Sequence, residues 1–83
     1  MQEGELFKGW LENSKGLKRE SVSDVLSRIR RVEKLDVNVD IPFEKIIETL
    51  YNNDEFSNFN EYVKPQIKRA IKLYKEFIEE HNG

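Results

Sequence analysis

The C-terminal third of the chain has the apolar spacing that most constrains its fold. Apolar residues recur there at i, i+4, i+7, i+8, i+11, i+14 and i+15, namely Val63, Ile67, Ala70, Ile71, Tyr74, Phe77 and Ile78. This spacing places all of them on one stripe of an α-helix. We therefore predict a long helix from about Asn60 or Glu61 to Glu80, with Pro65 tolerated in its first turn.

Three shorter helices are predicted upstream from the same kind of spacing. The first runs from about Glu5 to Ser14, and Gly16 then suits the left-handed position that follows a helix end. The second runs from about Lys18 to Val32. The third begins at Pro42, whose fixed φ suits a first helical position, and ends at residues 52–54.

Two segments between these helices are predicted to be irregular. Residues 35–41 alternate apolar and polar side chains as a strand does, but a single strand has no partner here. We expect this segment to be an extended loop on the core, and residues 54–62 to be a connector anchored by Phe56 and Phe59. The expected fold is all-α, a compact single-domain bundle of four or five helices spanning residues 1–83. Its expected core contains Phe7, Trp10, Leu26, Ile29, Ile47, Leu50, Ile67, Ile71 and Tyr74.

The chemistry that is missing argues against an enzyme. The 83 residues contain no cysteine and one histidine, His81, which lies two residues from the end. A thiolate metal site, a cysteine nucleophile and a disulfide framework are therefore excluded, and a serine–histidine–aspartate triad is improbable. The glycines are too scattered for a phosphate-binding loop. We expect no catalysis, no cofactor and no metal. We also expect a cytoplasmic location, because the sequence has no apolar run that could span a membrane.

Charge is segregated along the chain although its net value is only −2. Residues 1–17 sum to −1, 18–34 to +3, 35–63 to −6, 64–75 to +5 and 76–83 to −3, which together give −2. The positive charge therefore belongs to the second predicted helix and the last one.

Helical geometry gathers this positive charge onto two faces. At 100° per residue from Val63, the lysines of the last helix lie at about 100° to 180°, beside the apolar stripe. On the second helix, three basic residues (Arg30, Arg31 and Lys34) and two small serines lie between about 80° and 180° from Val22. Fork-shaped guanidinium donors beside small side chains suit close approach to a polyanion. The candidate DNA-contacting residues are Ser23, Ser27, Arg30, Arg31, Lys34, Lys64, Lys68, Lys72 and Lys75.

Two simpler interpretations of these faces stay open. Charged helix faces are commonly just solvated, and Lys75 with Glu79 has the spacing of an ordinary i, i+4 pair. In the second interpretation, the chain is a helical protein-interaction module, whose lysines meet an acidic partner or its own acidic surface. If the faces do bind DNA, we expect the acidic segment 35–63 to face away from it.

The order of these features resembles the core-binding domain of tyrosine recombinases, the SAM-like domain of phage integrases. In that family an aromatic and leucine-rich helix ends in a Gly-Leu-Ser turn, and here the turn is Gly16-Leu17, followed by Ser21-Val22. The stretch FKGWLENSKGLKRESVSDVLSRIRR matches the opening helices. The segments FEKIIETLYNN and VKPQIKRAIKLYKEFIEE match the third and last ones. Lys18 departs from the pattern, since the family usually has a capping serine at that position.

The resemblance implies a bundle of four or five helices that grips one face of duplex DNA. The active site of such recombinases lies in a separate C-terminal domain that these residues do not include, so no catalytic residue is carried over. The expected partners are duplex DNA, bound weakly by this domain alone, and either a protein partner or such a catalytic domain. The chain is then a fragment of a recombinase-like protein or a stand-alone relative.

Overall fold

The computed structural model describes residues 4–82, which form five helices and no strand. The helices are α1 (Gly4–Asn13), α2 (Arg19–Lys34), α3 (Phe43–Tyr51), α4 (Asp54–Ser57) and α5 (Val63–Asn82). The prediction of an all-α bundle is confirmed. Of the expected four or five helices, the described residues form five.

The turn between α1 and α2 depends on Gly16, as predicted. Its φ is +64°, in the left-handed region that glycine enters without steric cost. The Leu17 amide then donates a hydrogen bond of 3.1 Å to the carbonyl of Leu11, which closes the end of α1. The turn reverses the chain, so that α2 packs beside α1.

Helix α2 starts without a side-chain cap and runs further than predicted. Lys18 is the N-cap residue, and it has an extended backbone but no capping side-chain hydrogen bond. We predicted an end near Val32 because Glu33 falls in the apolar arc. The helix instead continues to Lys34, since Glu33 is accommodated there half-buried.

The segment after α2 is the irregular loop that the sequence predicts. Val37 and Val39 are buried in the core, while the backbone forms turns rather than a strand. Pro42 lies just before α3, as its N-cap residue, and not at its first helical position.

The predicted connector 54–62 contains one helical turn, α4. The side chain of Asn53 accepts a hydrogen bond of 3.0 Å from the amide of Phe56, which caps this turn. Phe56 is fully buried and Phe59 is half-buried, so both serve as the anchors expected of them.

The long helix α5 is the element on which α1, α2 and α3 pack. An ion pair of 3.1 Å joins Lys15, before α2, to Glu76, near the end of α5. At the opposite end, the Arg31 guanidinium lies 5.5 Å from the ring centre of Phe59, before α5. Helices α2 and α5 are therefore antiparallel neighbours.

An aromatic cluster joins α1 to α5. The ring of Phe7 lies 5.3 Å from those of Tyr74 and Phe77, centre to centre. Trp10 packs at its edge and donates a hydrogen bond of 3.0 Å to Glu80. Of the predicted core, Phe7, Ile29, Leu50, Ile67, Ile71 and Tyr74 are buried, whereas Trp10, Leu26 and Ile47 are half-buried.

Candidate nucleic-acid interface

The predicted site residues of α2 all reach solvent. Packing of the opposite, apolar side of this helix turns them outward. The exposed set is Ser23, Ser27, Arg30, Arg31 and Lys34. Within residues 4–82, none of the three cations forms an ion pair with a carboxylate. This face of α2 thus keeps its positive charge available.

Ser23 and Arg30 lie apart from the rest of this set, in a groove between α1 and α2. The groove is also lined by carboxylates from both helices, Glu5, Glu12, Glu20 and Asp24. Its charge is therefore mixed, and Arg30 is the predicted cation of α2 with the most acidic surroundings.

The α5 lysines differ strongly in their surroundings. Lys64 forms an ion pair of 3.1 Å with Glu61, and only 17% of its side chain is exposed. Lys68 is half-buried and donates a hydrogen bond of 2.8 Å to the Tyr51 hydroxyl. Lys72 is exposed and makes no ion pair within the described chain. Of the predicted α5 residues, Lys72 is thus the one best placed to meet a ligand.

Lys75 is the predicted site residue whose proton affinity is changed by its position. Partial burial removes water from its ammonium group and lowers the pKa below the ordinary value of 10.5. The negative charge of Asp40 opposes this shift and raises the pKa. Asp40 also accepts a hydrogen bond of 3.3 Å from the Tyr74 hydroxyl, which holds its carboxylate near the lysine.

Parts of the acidic segment 35–63 lie beside the basic residues of α5, while its expected orientation away from bound DNA stays a prediction. Glu61, Tyr51 and Asp40 belong to that segment, and they contact or face Lys64, Lys68 and Lys75 respectively. The physical reason is that α3 and its flanking loops pack on the same flank of α5 that carries the lysines. The sequence alone gives no sign of which flank α3 covers.

The predicted sets on α2 and α5 meet at one end of the helix pair. Arg31 lies over the ring of Phe59, and that ring is 5.7 Å from the ring of Phe56. The Lys64 ammonium group lies 5.9 Å from the centre of the Phe56 ring. Arg31 and Lys64 are thus brought together around two phenylalanines.

Elsewhere the two basic faces turn away from each other. On α2, the residues that line the cleft with α5 lie at about 200° to 300° from Val22, beyond the basic sector. On α5, the cleft residues lie at about 240° to 340° from Val63, beyond the lysines. Arg31 and Lys72, both at about 180°, are the predicted cations nearest to the cleft.

The cleft between the helices contains two arginines that the sequence analysis did not place in the site. Arg28 from α2 and Arg69 from α5 both line it, and neither forms an ion pair in the part of the chain that is described. Together with Arg31 and Lys72 they form what we call the outer face: Arg28, Arg31, Arg69 and Lys72. Arg28 lies on the side of α2 away from the serines and the other basic residues, and Arg69 lies on the side of α5 away from the lysines. Only the packing of α2 on α5 brings them together.

Comparison with known proteins adds no assignment. No protein-family model matches the chain, and neither a curated protein nor a solved structure gives a match. Among the described residues, no group of three or more histidine, cysteine, aspartate or glutamate side chains could hold a metal ion. No helix in the same range is long and apolar enough to cross a membrane.

Proposed function

We propose that this chain is a non-catalytic module that binds the phosphate backbone of duplex DNA through its outer face. The observation that carries the proposal is the set of cations on the antiparallel α2–α5 pair that no carboxylate neutralises within residues 4–82. This set includes the four residues of the outer face, Arg28, Arg31, Arg69 and Lys72, and the exposed Lys34 of α2. Unpaired lysines and arginines on one surface are the electrostatic footprint of a nucleic-acid-binding protein.

The shape of this surface favours contact with phosphates over reading of bases. Helix α2 is flanked by α1 on one side and α5 on the other, so it does not project from the molecule. A helix must enter the major groove to reach base edges, whereas phosphate contacts need only a surface. Binding should therefore be largely independent of sequence. The resemblance to recombinase core-binding domains supports the same proposal.

Charge reversal on the outer face tests this function. The test variant, Arg31→Glu with Lys72→Glu, reverses one exposed cation on α2 and one on α5. The control variant, Lys8→Glu with Lys45→Glu, makes the same change of net charge on α1 and α3. In a fluorescence-anisotropy titration of labelled duplex DNA at low salt, the first variant should lose most binding and the second should keep most of it. Equal loss in both variants would mean that net charge alone, and not this surface, is responsible.

A protein-interaction module is the second candidate, and one observation favours it. The side chain of Tyr62 is 81% exposed and that of Tyr51 is 53% exposed. Exposed tyrosines are enriched in surfaces that bind other proteins. No binding of duplex DNA at tens of micromolar protein in low salt would give this candidate preference.

A further inference from the structure

The cleft between α2 and α5 combines an apolar floor with a polar rim. Val25 and Ala70 are buried beneath it, and Leu17 and Leu73 lie half-buried at its sides. Its rim is polar and consists of Ser21, Asp24, Arg28, Gln66 and Arg69. The cleft has a volume of about 260 Å³. Since a water molecule occupies about 30 Å³ of liquid, there is room for a phosphate group with some of its hydration.

The two arginines of this cleft lack a counter-ion. Asp24 also lines it, four residues before Arg28, but no carboxylate lies within ion-pair distance of either guanidinium in the described residues. The formal charge of the lining is +1, from two arginines and one aspartate. Arg28 is half-buried and Arg69 is exposed. Two like charges that line one cleft repel each other, and an anion between them relieves this repulsion.

The donors of the rim match a phosphate better than a carboxylate. Each guanidinium presents a planar fork of N–H donors that suits two oxygens of one oxyanion. Two such forks, with the Ser21 hydroxyl and the Gln66 amide, exceed what the two oxygens of a carboxylate can accept. A tetrahedral phosphate can engage both arginines at once, because a phosphodiester directs its two non-bridging oxygens and two ester oxygens to the corners of a tetrahedron, and a monoester has three terminal oxygens.

We propose that Arg28 and Arg69 clamp one phosphate group in the cleft between α2 and α5. This inference rests on the proposed function, because a nucleic acid lying across the outer face supplies phosphodiesters at this position. A free phosphate monoester has one more terminal oxygen for the same donors, and the experiment below separates the two sources. The clamp gives the DNA one defined point of contact, between the two helices.

Side-chain NMR tests the clamp directly. The arginine Nε–Hε resonances of ¹⁵N-labelled chain are followed while inorganic phosphate, acetate or a short DNA duplex is added at constant ionic strength. Phosphate and duplex should shift the resonances of Arg28 and Arg69 more than those of Arg19 and Arg30, and acetate should shift them less. Equal shifts at all arginines, or equal effects of acetate and phosphate, would overturn the clamp.

A pair of neutral variants provides the second measurement. Arg28→Gln with Arg69→Gln should weaken phosphate binding by about tenfold or more, because two charge-assisted sets of hydrogen bonds are lost. Lys8→Gln with Lys45→Gln removes the same charge elsewhere and should have a smaller effect. If both variants weaken phosphate binding equally, the clamp is wrong.

The duplex and phosphate titrations distinguish failure of this inference from failure of the proposed function. If the duplex binds and Arg28→Gln with Arg69→Gln weakens it no more than the control, the clamp is wrong and DNA binding stands. If the duplex does not bind but inorganic phosphate shifts both arginines, DNA binding is wrong and the cleft holds a free phosphate. If the duplex does not bind and inorganic phosphate shifts neither arginine, both are wrong.

Discussion

Leu6 and Leu11 of α1 show how position decides the contribution of one side chain. Leu11 is fully buried, whereas 54% of Leu6 is exposed. Leu11→Ala should lower the free energy of unfolding by about 2–5 kcal/mol, because the lost contacts leave a cavity. Leu6→Ala removes the same atoms from the surface and should cost at most about 0.5 kcal/mol. Urea denaturation of both variants checks this, and similar midpoints would contradict the packing of α1.

The pKa of Lys75 gives a second prediction at this scale. Its burial lowers the pKa below 10.5 and Asp40 partly opposes the shift. Asp40→Asn removes the opposing charge, so the pKa of Lys75 should fall further. An NMR titration of the Lys75 side chain measures this, and a rise in the variant would show that Asp40 does not act on the ammonium group.

The sign of the linked stability follows from the same shift. Folding disfavours the charged form of Lys75, so this group lowers stability at neutral pH. The unfavourable contribution is relieved as the pH rises through the lowered pKa towards 10.5, the ordinary value of the unfolded chain. A variant without the amine, Lys75→Gln, should therefore lose any advantage over the wild type as the pH approaches that value.

Among the elements, α2 has an N-terminus that can be improved. Lys18 already has the extended backbone of an N-cap residue, with φ of −71° and ψ of 160°, but its side chain makes no capping hydrogen bond. Lys18→Ser supplies an acceptor for an amide of the first turn and removes a positive charge from the positive end of the helix dipole. It should raise the free energy of unfolding by about 1 kcal/mol.

The cap of α4 is the matched comparison for this prediction. The Asn53 side chain already accepts from the amide of Phe56, so Asn53→Ala should lower stability by about 1 kcal/mol. Thermal denaturation measures both variants. A loss of stability in Lys18→Ser would show that the lysine has a role at the turn that outweighs capping.

Helix positions were predictable where apolar spacing was long and regular. The stripe from Val63 to Ile78 defined α5 to within three residues of its observed start. The single turn of α4 was not predicted, because four residues are too few to show a period. The predicted end of α2 lies two residues too early. The sequence does not show that the helix can accommodate the charged Glu33 in its apolar arc.

At the scale of the whole molecule, the positive faces were predictable but their arrangement was not. Position along each helix follows from 100° per residue, so the exposure of Ser27, Arg31 and Lys72 could be expected. The direction in which α2 and α3 pack on α5 depends on tertiary contacts. For that reason Arg28 and Arg69 were missed, and the contact of the lysines with the acidic segment was not foreseen.

The central claim is that the outer face neutralises DNA phosphates, and the salt dependence of binding tests it most directly. Each phosphate contact releases counter-ions and contributes a slope of about −0.9 to log K against log salt concentration. With about four to six contacts, anisotropy titrations of a labelled duplex between 50 and 200 mM salt should give a slope of roughly −3.5 to −5.5. Binding that ignores salt, or no binding in low salt, would contradict the account.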